Sequence, residues 1–318
     1  MKILVTGCAG FIGMHICQKL LKKHEVVGVD NLNTYYDVNL KKSRLKLLKN
    51  YKKFKFHKID INNYQKITKI FKSTKPKLVL HLAAEVGVRY SLKKPEKYVK
   101  SNIIGFFNIL ENCKNLNIKK LFYASSSSVY GNRNNNFKEN ALTDKPLSVY
   151  AASKKANELL AFSYSHLYKI NTVGMRFFTV YGPYGRPDMA IFNFTESIYK
   201  KKPIVIFGKG NLKRDFTYID DVTFHINNLI KRNIFGHQVF NIGNTRSIKV
   251  KFLISLLENL IGIKAITKFY KTPNTEVNET KANISKIKKI SHLKNKTSIK
   301  KGIFKFITWY KNYKKIKL

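Results

Sequence analysis

Two residues spaced for proton chemistry lie near the middle of the chain. Tyr150 and Lys154 form the pattern YxxxK, which on a helix places the phenol and the ammonium group one turn apart on the same face. A nearby ammonium favours the phenolate and brings a tyrosine pKa of about 10 toward neutrality, so Tyr150 can act as a general base. An amphipathic surface helix can carry the same pair. Position favours the chemical interpretation, because the pair follows a strand that ends in four serines at 125–128.

Three glycines near the start of the chain have the spacing of a phosphate-binding turn. Gly7, Gly10 and Gly13 form GxxGxxG between a strand pattern and a helix pattern, so backbone amides can face a pyrophosphate. Tight packing of the strand on the helix would also require glycines. Asp30 favours the phosphate site, because a carboxylate 20 residues after Gly10 can bind both ribose hydroxyls and would repel a 2′-phosphate. The sequence therefore predicts NAD rather than NADP as the cofactor.

Alternating strand and helix patterns position these residues. A strand, a helix over 11–21 and a second strand form a βαβ unit, and the later strands are separated by segments long enough for crossover helices. This spacing predicts an α/β fold with a parallel, doubly wound, Rossmann-like sheet. The predicted strands cover residues 3–5, 26–29, 54–58, 78–82, 121–125, 172–177 and 239–242. Asp60 and Ile61 follow the third strand, where they can flank an adenine, although Asp60 can equally cap the next helix.

A turn-rich stretch at 181–187 interrupts the alternation, and we predict a change of domain there. Residues 216–244 again predict a helix and a strand, so the two domains are interleaved along the chain. We assign residues 1–178 and about 216–245 to an NAD-binding Rossmann domain. The smaller substrate-binding domain takes about 179–215 and 246–318.

The charge balance of 61 basic against 18 acidic residues, a formal +43, raises the question of a polyanionic partner. Arginine is the residue that phosphate and base recognition favours, yet the eight arginines are greatly outnumbered by scattered lysines. We therefore predict weak non-specific adhesion at low salt and no specific nucleic-acid function.

Cysteine usage and hydropathy indicate the compartment. Cys8, Cys17 and Cys113 are odd in number and lack the spacing of a zinc site, so we expect structural thiols, a reducing compartment and no metal. Apolar stretches fall short of the roughly 18 residues that a membrane span requires. We expect a cytoplasmic protein without membrane insertion.

Several motifs together resemble the extended short-chain dehydrogenase/reductases that act on nucleotide sugars, the NAD-dependent epimerase/dehydratase family. They are the glycine turn at 7–13, HLAA at 81–84, the serine-rich strand before Tyr130, YxxxK at 150–154 and RDF at 214–216, and they span almost the whole chain. Within this superfamily, DNLNTYYD at 30–37, GVRYSL at 87–92 and RPDMA at 186–190 resemble UDP-glucuronate 4-epimerases.

The resemblance implies a mechanism. Tyr150 takes the proton from the sugar O4 hydroxyl, Ser126 hydrogen-bonds that oxygen, and C4 gives hydride to NAD. The resulting 4-keto sugar presents its other face and recovers the hydride with inverted configuration. Lys154 holds the nicotinamide ribose and tunes Tyr150.

The resemblance also implies binding residues. The cofactor contacts are Gly7, Gly10, Phe11, Ile12, Gly13, Asp30, Asn31, Asp60, Ile61, Leu82, Ala83, Ala84, Asn102, Tyr150 and Lys154. The substrate contacts are Arg89, Ser127, Ser128, Thr179, Arg186 and Arg214. Arg214 is expected on the UDP phosphates, and Arg186 on a phosphate or on the uronate carboxylate. An ion pair with Asp215 is the alternative for Arg214, and support of Tyr90 or a nearby loop is the alternative for Arg89.

Other activities remain open. A UDP-glucuronate decarboxylase is the nearest alternative, followed by a UDP-glucose 4-epimerase and by a catalytically silent NAD-binding regulator. A 4,6-dehydratase would need an acid/base pair, commonly Asp-Glu, where this chain has Ser127 and Ser128.

Some positions depart from the family pattern. Glu85 stands where Gln is expected, and residues 273–276, Pro-Asn-Thr-Glu, replace an expected Pro-Gly-Asp. Arg246 is the last arginine, which puts a second phosphate-binding arginine in doubt and leaves Lys271 as a possible substitute. The family also implies a homodimer, formed through a helix pair.

Overall fold

The computed structural model describes residues 1–133, 137–291, 293 and 296–316. The strands within these ranges, numbered β1 to β12 in chain order, are Lys2–Thr6, Glu25–Asp30, Phe54–Lys58, Leu78–His81, Lys120–Ser126, Asn171–Phe177, Thr179–Tyr181, Ile204–Phe207, Lys213–Tyr218, His237–Ile242, Ser247–Lys249 and Thr267–Tyr270.

The α-helices of the same ranges, numbered α1 to α12, are Phe11–Leu21, Val38–Lys49, Tyr64–Thr74, Tyr90–Lys93, Pro95–Tyr98, Gly105–Asn115, Val149–Tyr168, Ala190–Tyr199, Ile219–Ile230, Val250–Ile261, Ser285–Lys288 and Ile299–Lys314. A π-helix, Val99–Ile104, precedes α6, and short 3₁₀ turns cover Ser127–Tyr130 and Gly208–Gly210.

Seven of the described strands form one parallel sheet in the order β3-β2-β1-β4-β5-β6-β10. The order reverses between β1 and β4, which is the switch point where doubly wound sheets bind their ligands. The predicted α/β, Rossmann-like fold is confirmed. The predicted helix and strand within 216–244 are also present, as α9 and β10.

Helices cover both faces of this sheet, which explains why its inner strands β1 and β4 carry consecutive apolar residues, whereas the edge strand β3 alternates apolar with basic residues. In β1 the side chains of Ile3 and Val5 belong to the apolar core on one face, and Leu4 belongs to the core on the other. Helices α1 and α9 pack against each other on the first side, and α3, α6 and α7 supply the second core. Packing on both faces fixes the strand ends that carry the site.

The remaining strands form two small sheets beside the carboxyl edge of the large one. Their orders are β11-β9-β7 and β12-β8. Helices α8, α10 and α12 pack on them, and aromatic side chains of α12 extend this contact: Trp309 lies 4.9 Å from the ring of Tyr184, measured between ring centroids.

The predicted domain limits can be placed on these strands. One limit, between 178 and 179, falls between β6 and β7, whereas the limit at 216 falls inside β9. The division itself stays a prediction. In the part of the chain that the structure describes, no helix combines the length and the apolar character needed to cross a bilayer.

Candidate active site

A deep cleft of about 940 Å³ lies at the carboxyl ends of the large sheet and extends to the small sheets. Its size is within the range of ligand-binding cavities, and its place at the switch point is where this topology binds ligands. Of the predicted site residues, all line this cleft except Asp60 and Asn102. The geometry therefore brings the predicted cofactor and substrate residues into one continuous space.

The glycine turn forms one end of the cleft. Gly7 has a φ of +73°, and a Cβ added there would lie 2.6 Å from the backbone nitrogen of Ala83. A Cβ on Gly13 would lie 2.0 Å from the Gly7 carbonyl oxygen. Gly10 is the N-cap of α1 and has no side chain to bond the first amides of the helix. Those amides can therefore donate to a pyrophosphate.

Asp30 lies at the end of β2, beside the glycine turn. Its Oδ2 accepts a hydrogen bond from the Ala9 amide at 3.1 Å, and its Oδ1 accepts one from the Leu32 amide at 2.8 Å. Burial raises the pKa of this carboxyl group, while the two amides and the charge of Lys41 oppose the rise. Each carboxylate oxygen retains a lone pair that can accept from a ribose hydroxyl.

Asp60 and Asn102 do not line the cleft themselves but bond to residues that do. Asp60 accepts a hydrogen bond from the Asn31 side chain at 3.1 Å, so it supports a predicted cofactor residue. It is not the cap of α3, because Asn63 takes that position. Buried Asn102 donates to the Glu85 carbonyl oxygen and accepts from the Glu85 amide, which fixes the loop after β4. Direct cofactor contact by either residue stays a prediction.

The three predicted catalytic side chains lie together in the cleft. Ser126 ends β5, and Tyr150 and Lys154 lie on the first turns of α7, whose N-cap is Ser148. The hydroxyl groups of Ser126 and Tyr150 interact, so they face the same point of the cleft. The Lys154 Nζ donates to the carbonyl oxygen of Ala124 at 2.9 Å, which leaves two of its hydrogens for other acceptors.

The electrostatics of these side chains are dominated by burial. Burial raises the pKa of Tyr150, the hydrogen bond with Ser126 and the charge of Arg186 lower it, and the charge of Asp188 raises it. In the protein alone the pKa of Tyr150 is therefore raised. Lys154 does not produce the predicted shift of that pKa toward neutrality. Burial also lowers the pKa of Lys154 to about 8, because the ammonium lies in an apolar setting.

Arg186 lines the cleft together with the predicted catalytic residues. It follows the turn after β7 and forms a two-point ion pair with Asp188, in which Nε lies 3.0 Å from Oδ1 and Nη2 contacts Oδ2. Burial would raise the pKa of Asp188, but the Arg186 charge and the Tyr35 hydroxyl bring it below its ordinary value. Thr179, Ser127 and Ser128 line the cleft together with this pair.

Arg89 and Arg214 meet on one carboxylate. The Arg89 Nη2 lies 2.7 Å from Glu276 Oε1, and the Arg214 Nη2 lies 2.6 Å from Oε2. The alternative for Arg214, an ion pair with Asp215, is not formed, because buried Asp215 accepts from the amides of residues 244, 245 and 282 and from a threonine hydroxyl. Among the contacts of the described residues, the Arg89 guanidinium lies over the Phe207 ring, 4.5 Å from its centroid, and none joins it to the Tyr90 side chain.

Sequence similarity identifies the family of the chain. Residues 3–243 match the sequence profile of the NAD dependent epimerase/dehydratase family. The chain belongs to this family. NAD is the family cofactor, and the open amides at the start of α1 together with Asp30 suit its pyrophosphate and its unphosphorylated ribose.

Individual relatives and a solved structure show which members of the family this chain resembles. A UDP-glucuronate 4-epimerase of Thermodesulfobacterium geofontis is 46% identical over 310 residues, covering 97% of this chain and 95% of that protein. Protein CapI of Staphylococcus aureus is 44% identical over 99% of this chain and 100% of its own length. The crystal structure of the Bacillus cereus UDP-glucuronic acid 4-epimerase with UDP-glucuronic acid and NAD matches with a TM-score of 0.93 at 37% identity, covering 98% of this chain and 100% of that one.

Arg44 does not line the cleft but supports two turns that do, and sequence reasoning missed this role. Its side chain is fully buried and donates to the carbonyl oxygens of Ala9, Tyr184 and Gly185 at 2.7–3.2 Å. It thus joins the glycine turn of the epimerase/dehydratase fold to the turn that carries Arg186. The available signal was the residue type, because an arginine is rare in a chain so rich in lysine.

The departures from the family pattern also have a structural outcome. Glu85 accepts a hydrogen bond from Asn33 at 2.8 Å, and burial raises the pKa of Glu85. Lys271 is exposed and does not line the cleft. The second guanidinium beside Arg214 is instead that of Arg89, held through Glu276.

Proposed function

We propose that this protein is an NAD-dependent UDP-glucuronate 4-epimerase, an isomerase that converts UDP-glucuronate to UDP-galacturonate. One observation carries the proposal: the hydroxyls of Ser126 and Tyr150 share a cleft with the glycine turn and with Arg186. The likeness to relatives of that name supports the same substrate. The cleft thus offers a base, a hydride-acceptor site and a cation for a uronate.

In this mechanism, NAD supplies a reversible acceptor for the C4 hydride. Tyr150 removes the O4 proton and later returns it, while Ser126 holds that oxygen by a hydrogen bond. Lys154 uses its two remaining hydrogens to hold ribose hydroxyls beside Tyr150. Tyr150 therefore serves as the base when the sugar is oxidised and as the acid when the keto group is reduced.

The 4-keto form of a uronic acid is a β-keto acid that loses carbon dioxide when its carboxylate bond aligns with the carbonyl π system. We propose that Arg186, Thr179, Ser127 and Ser128 hold the carboxylate away from that alignment. Arg89 and Arg214 take the diphosphate in exchange for Glu276. Restraint of the carboxylate is what separates epimerisation from decarboxylation here.

Product analysis tests the function. Purified protein is incubated with UDP-glucuronate and NAD, and the nucleotide sugars are separated and identified by NMR. UDP-galacturonate is the expected product. A UDP-pentose with carbon dioxide would indicate the decarboxylase, conversion of UDP-glucose alone would indicate the UDP-glucose 4-epimerase, and no conversion despite bound NAD would indicate the silent regulator.

We further propose that the protein forms a homodimer through α6 and α7. These helices pack side by side, and together with the end of the π-helix before α6 they carry apolar side chains that are exposed in the single chain: Ile104, Phe107, Leu159 and Phe162. An apolar face of this kind is typical of a subunit interface. Sedimentation of the wild type as a dimer and of Phe162→Asp as a monomer is expected, and a monomeric wild type would refute the interface.

We also propose that the protein acts in a reducing compartment and that its two domains are interleaved along the chain. The free, buried thiols of Cys8, Cys17 and Cys113 support function in a reducing compartment such as the cytoplasm. Interleaved cofactor-binding and substrate-binding domains are supported by the separation of the described strands into one large and two small sheets.

A further inference from the structure

The guanidinium group of Arg186 is supported by two residues to which neither the mechanism nor the resemblance assigns a role. Asp188 takes the Nε and Nη2 donors of Arg186, and the Tyr35 hydroxyl donates to Asp188 Oδ2 at 3.1 Å. All three side chains line the cleft. Among the hydrogen bonds of the described residues, the Arg186 Nη1 has no acceptor, so this edge remains for a ligand.

The support is itself fixed by packing. The Tyr35 ring lies 4.8 Å from the ring of Tyr90, between centroids, and 6.0 Å from that of Tyr36. Gly87 makes room for the hydroxyl, because a Cβ added at that position would lie 2.5 Å from the Tyr35 oxygen. Tyr35 therefore reaches Asp188 from the segment that begins at Asp30, on the cofactor side of the cleft.

The arrangement restricts how Arg186 can recognise an anion. A guanidinium is planar, so a two-point bond on one edge fixes the direction of the remaining edge. Asp188 also compensates the Arg186 charge, so a substrate carboxylate gains directional hydrogen bonds rather than an unbalanced cation. Direction is the property that matters when a carboxylate has to be kept out of one alignment.

We propose that Tyr35 and Asp188 are positioning residues that aim the Nη1 edge of Arg186 at the sugar carboxylate and thereby suppress decarboxylation of the 4-keto intermediate. This inference rests on the proposed function. In the suppressed reaction the C5–C6 bond breaks, carbon dioxide leaves, and the electron pair forms the C4 enolate. The enolate then takes a proton at C5, which gives a UDP-4-keto-pentose.

The test compares the product partition of wild type, Tyr35→Phe and Asp188→Asn with UDP-glucuronate. Tyr35→Phe removes a single hydroxyl and is expected to raise carbon dioxide released per UDP-galacturonate by about threefold to tenfold. Asp188→Asn keeps the shape but removes the charge and is expected to raise it by about tenfold or more. Tyr64→Phe removes a phenol on the outside of the molecule and is the matched control, with the partition of the wild type.

A changed partition separates positioning from a general structural effect, because a merely loosened fold slows both products together. An unchanged partition in both variants overturns the proposal, as does equal slowing of both products. A lower KM with unchanged partition in Asp188→Asn also overturns it, since Asp188 would then only compete with the substrate. A wild type that does not convert UDP-glucuronate overturns the proposed function instead, so the two failures are distinguishable.

Discussion

The two ends of the cleft present their anion-binding groups differently. At the cofactor end, the closely packed glycines 7, 10 and 13 leave the first amides of α1 open in a geometry that is already complete. At the sugar end, Arg89 and Arg214 are paired with Glu276, and Arg186 is paired with Asp188. Under the proposed function, the difference predicts that the cofactor enters a preformed site, whereas the nucleotide sugar has to exchange or share existing ion pairs.

The largest expected effect breaks the chemistry between the two ends. Tyr150→Phe removes the hydroxyl that exchanges a proton with the sugar O4, and we expect kcat to fall by about 1000-fold or more. NAD content should stay near that of the wild type, because the cofactor end of the cleft does not depend on this hydroxyl. Steady-state kinetics and NAD quantification provide the measurement, and a near-normal kcat would refute the assignment.

The buried ammonium group of Lys154 predicts a pH dependence of stability in the NAD-free protein. Its pKa is lowered from 10.5 to about 8, so the folded chain loses this proton before the unfolded chain does. The native state carries the full cost of the buried charge below pH 8, and the cost disappears as the pH rises from 8 to 10.5. Lys154→Met should therefore stabilise the fold by up to about 3 kcal/mol at pH 7, while abolishing activity.

Chemical denaturation of NAD-free wild type and Lys154→Met at several pH values checks this expectation. The stability difference between the two proteins should shrink from pH 8 to 10. A variant that is less stable than the wild type at pH 7 would show that the ammonium contributes more through its hydrogen bond to Ala124 than burial costs.

A methyl group at the preformed end tests the cofactor half of the comparison. Gly13→Ala places a Cβ against the Gly7 carbonyl oxygen, and a clash of about 2 kcal/mol would weaken NAD binding by about 30-fold. Isothermal titration with NAD gives the affinity. Gly236→Ala is the control for a strained glycine-to-alanine change outside the cleft, because its φ is +67° and its added Cβ meets nothing within 4 Å. Unchanged affinity in Gly13→Ala would show that the turn is not preformed.

The smallest expected effect concerns the exchange of ion pairs. Glu276→Gln removes the carboxylate charge shared by Arg89 and Arg214, so UDP should bind about fivefold more tightly at low salt and less so at high salt. Glu258→Gln, which loses an ion pair with exposed Lys264, is the control. Weaker binding of UDP to Glu276→Gln would mean that the carboxylate positions the arginines instead of competing for them.

The comparison between the two ends also separates what the sequence could predict from what it could not. The glycine turn and the pair Tyr150 and Lys154 were predictable, because turns and helices place residues a few positions apart in known geometry. The parallel, doubly wound character of the sheet followed from the alternating pattern for the same reason. Local spacing therefore accounts for the cofactor end, the catalytic helix and the fold class.

Long-range contacts explain what was missed. Arg89 and Glu276 are 187 residues apart, and Arg44 bonds to Tyr184 across 140 residues. No periodicity links such positions, so the partners of the arginines required the folded chain. The net rise of the Tyr150 pKa was missed for the same reason, because burial depends on the whole cleft.

The central claim is that C4 of the sugar gives up a hydride and receives the same hydrogen back while Tyr150 carries the proton of O4. The most direct measurement uses UDP-glucuronate labelled with deuterium at C4, converted in ordinary water and examined by NMR. We expect UDP-galacturonate that retains the deuterium at C4. Loss of the label to solvent during epimerisation would contradict it, because that result requires removal of the C4 hydrogen as a proton.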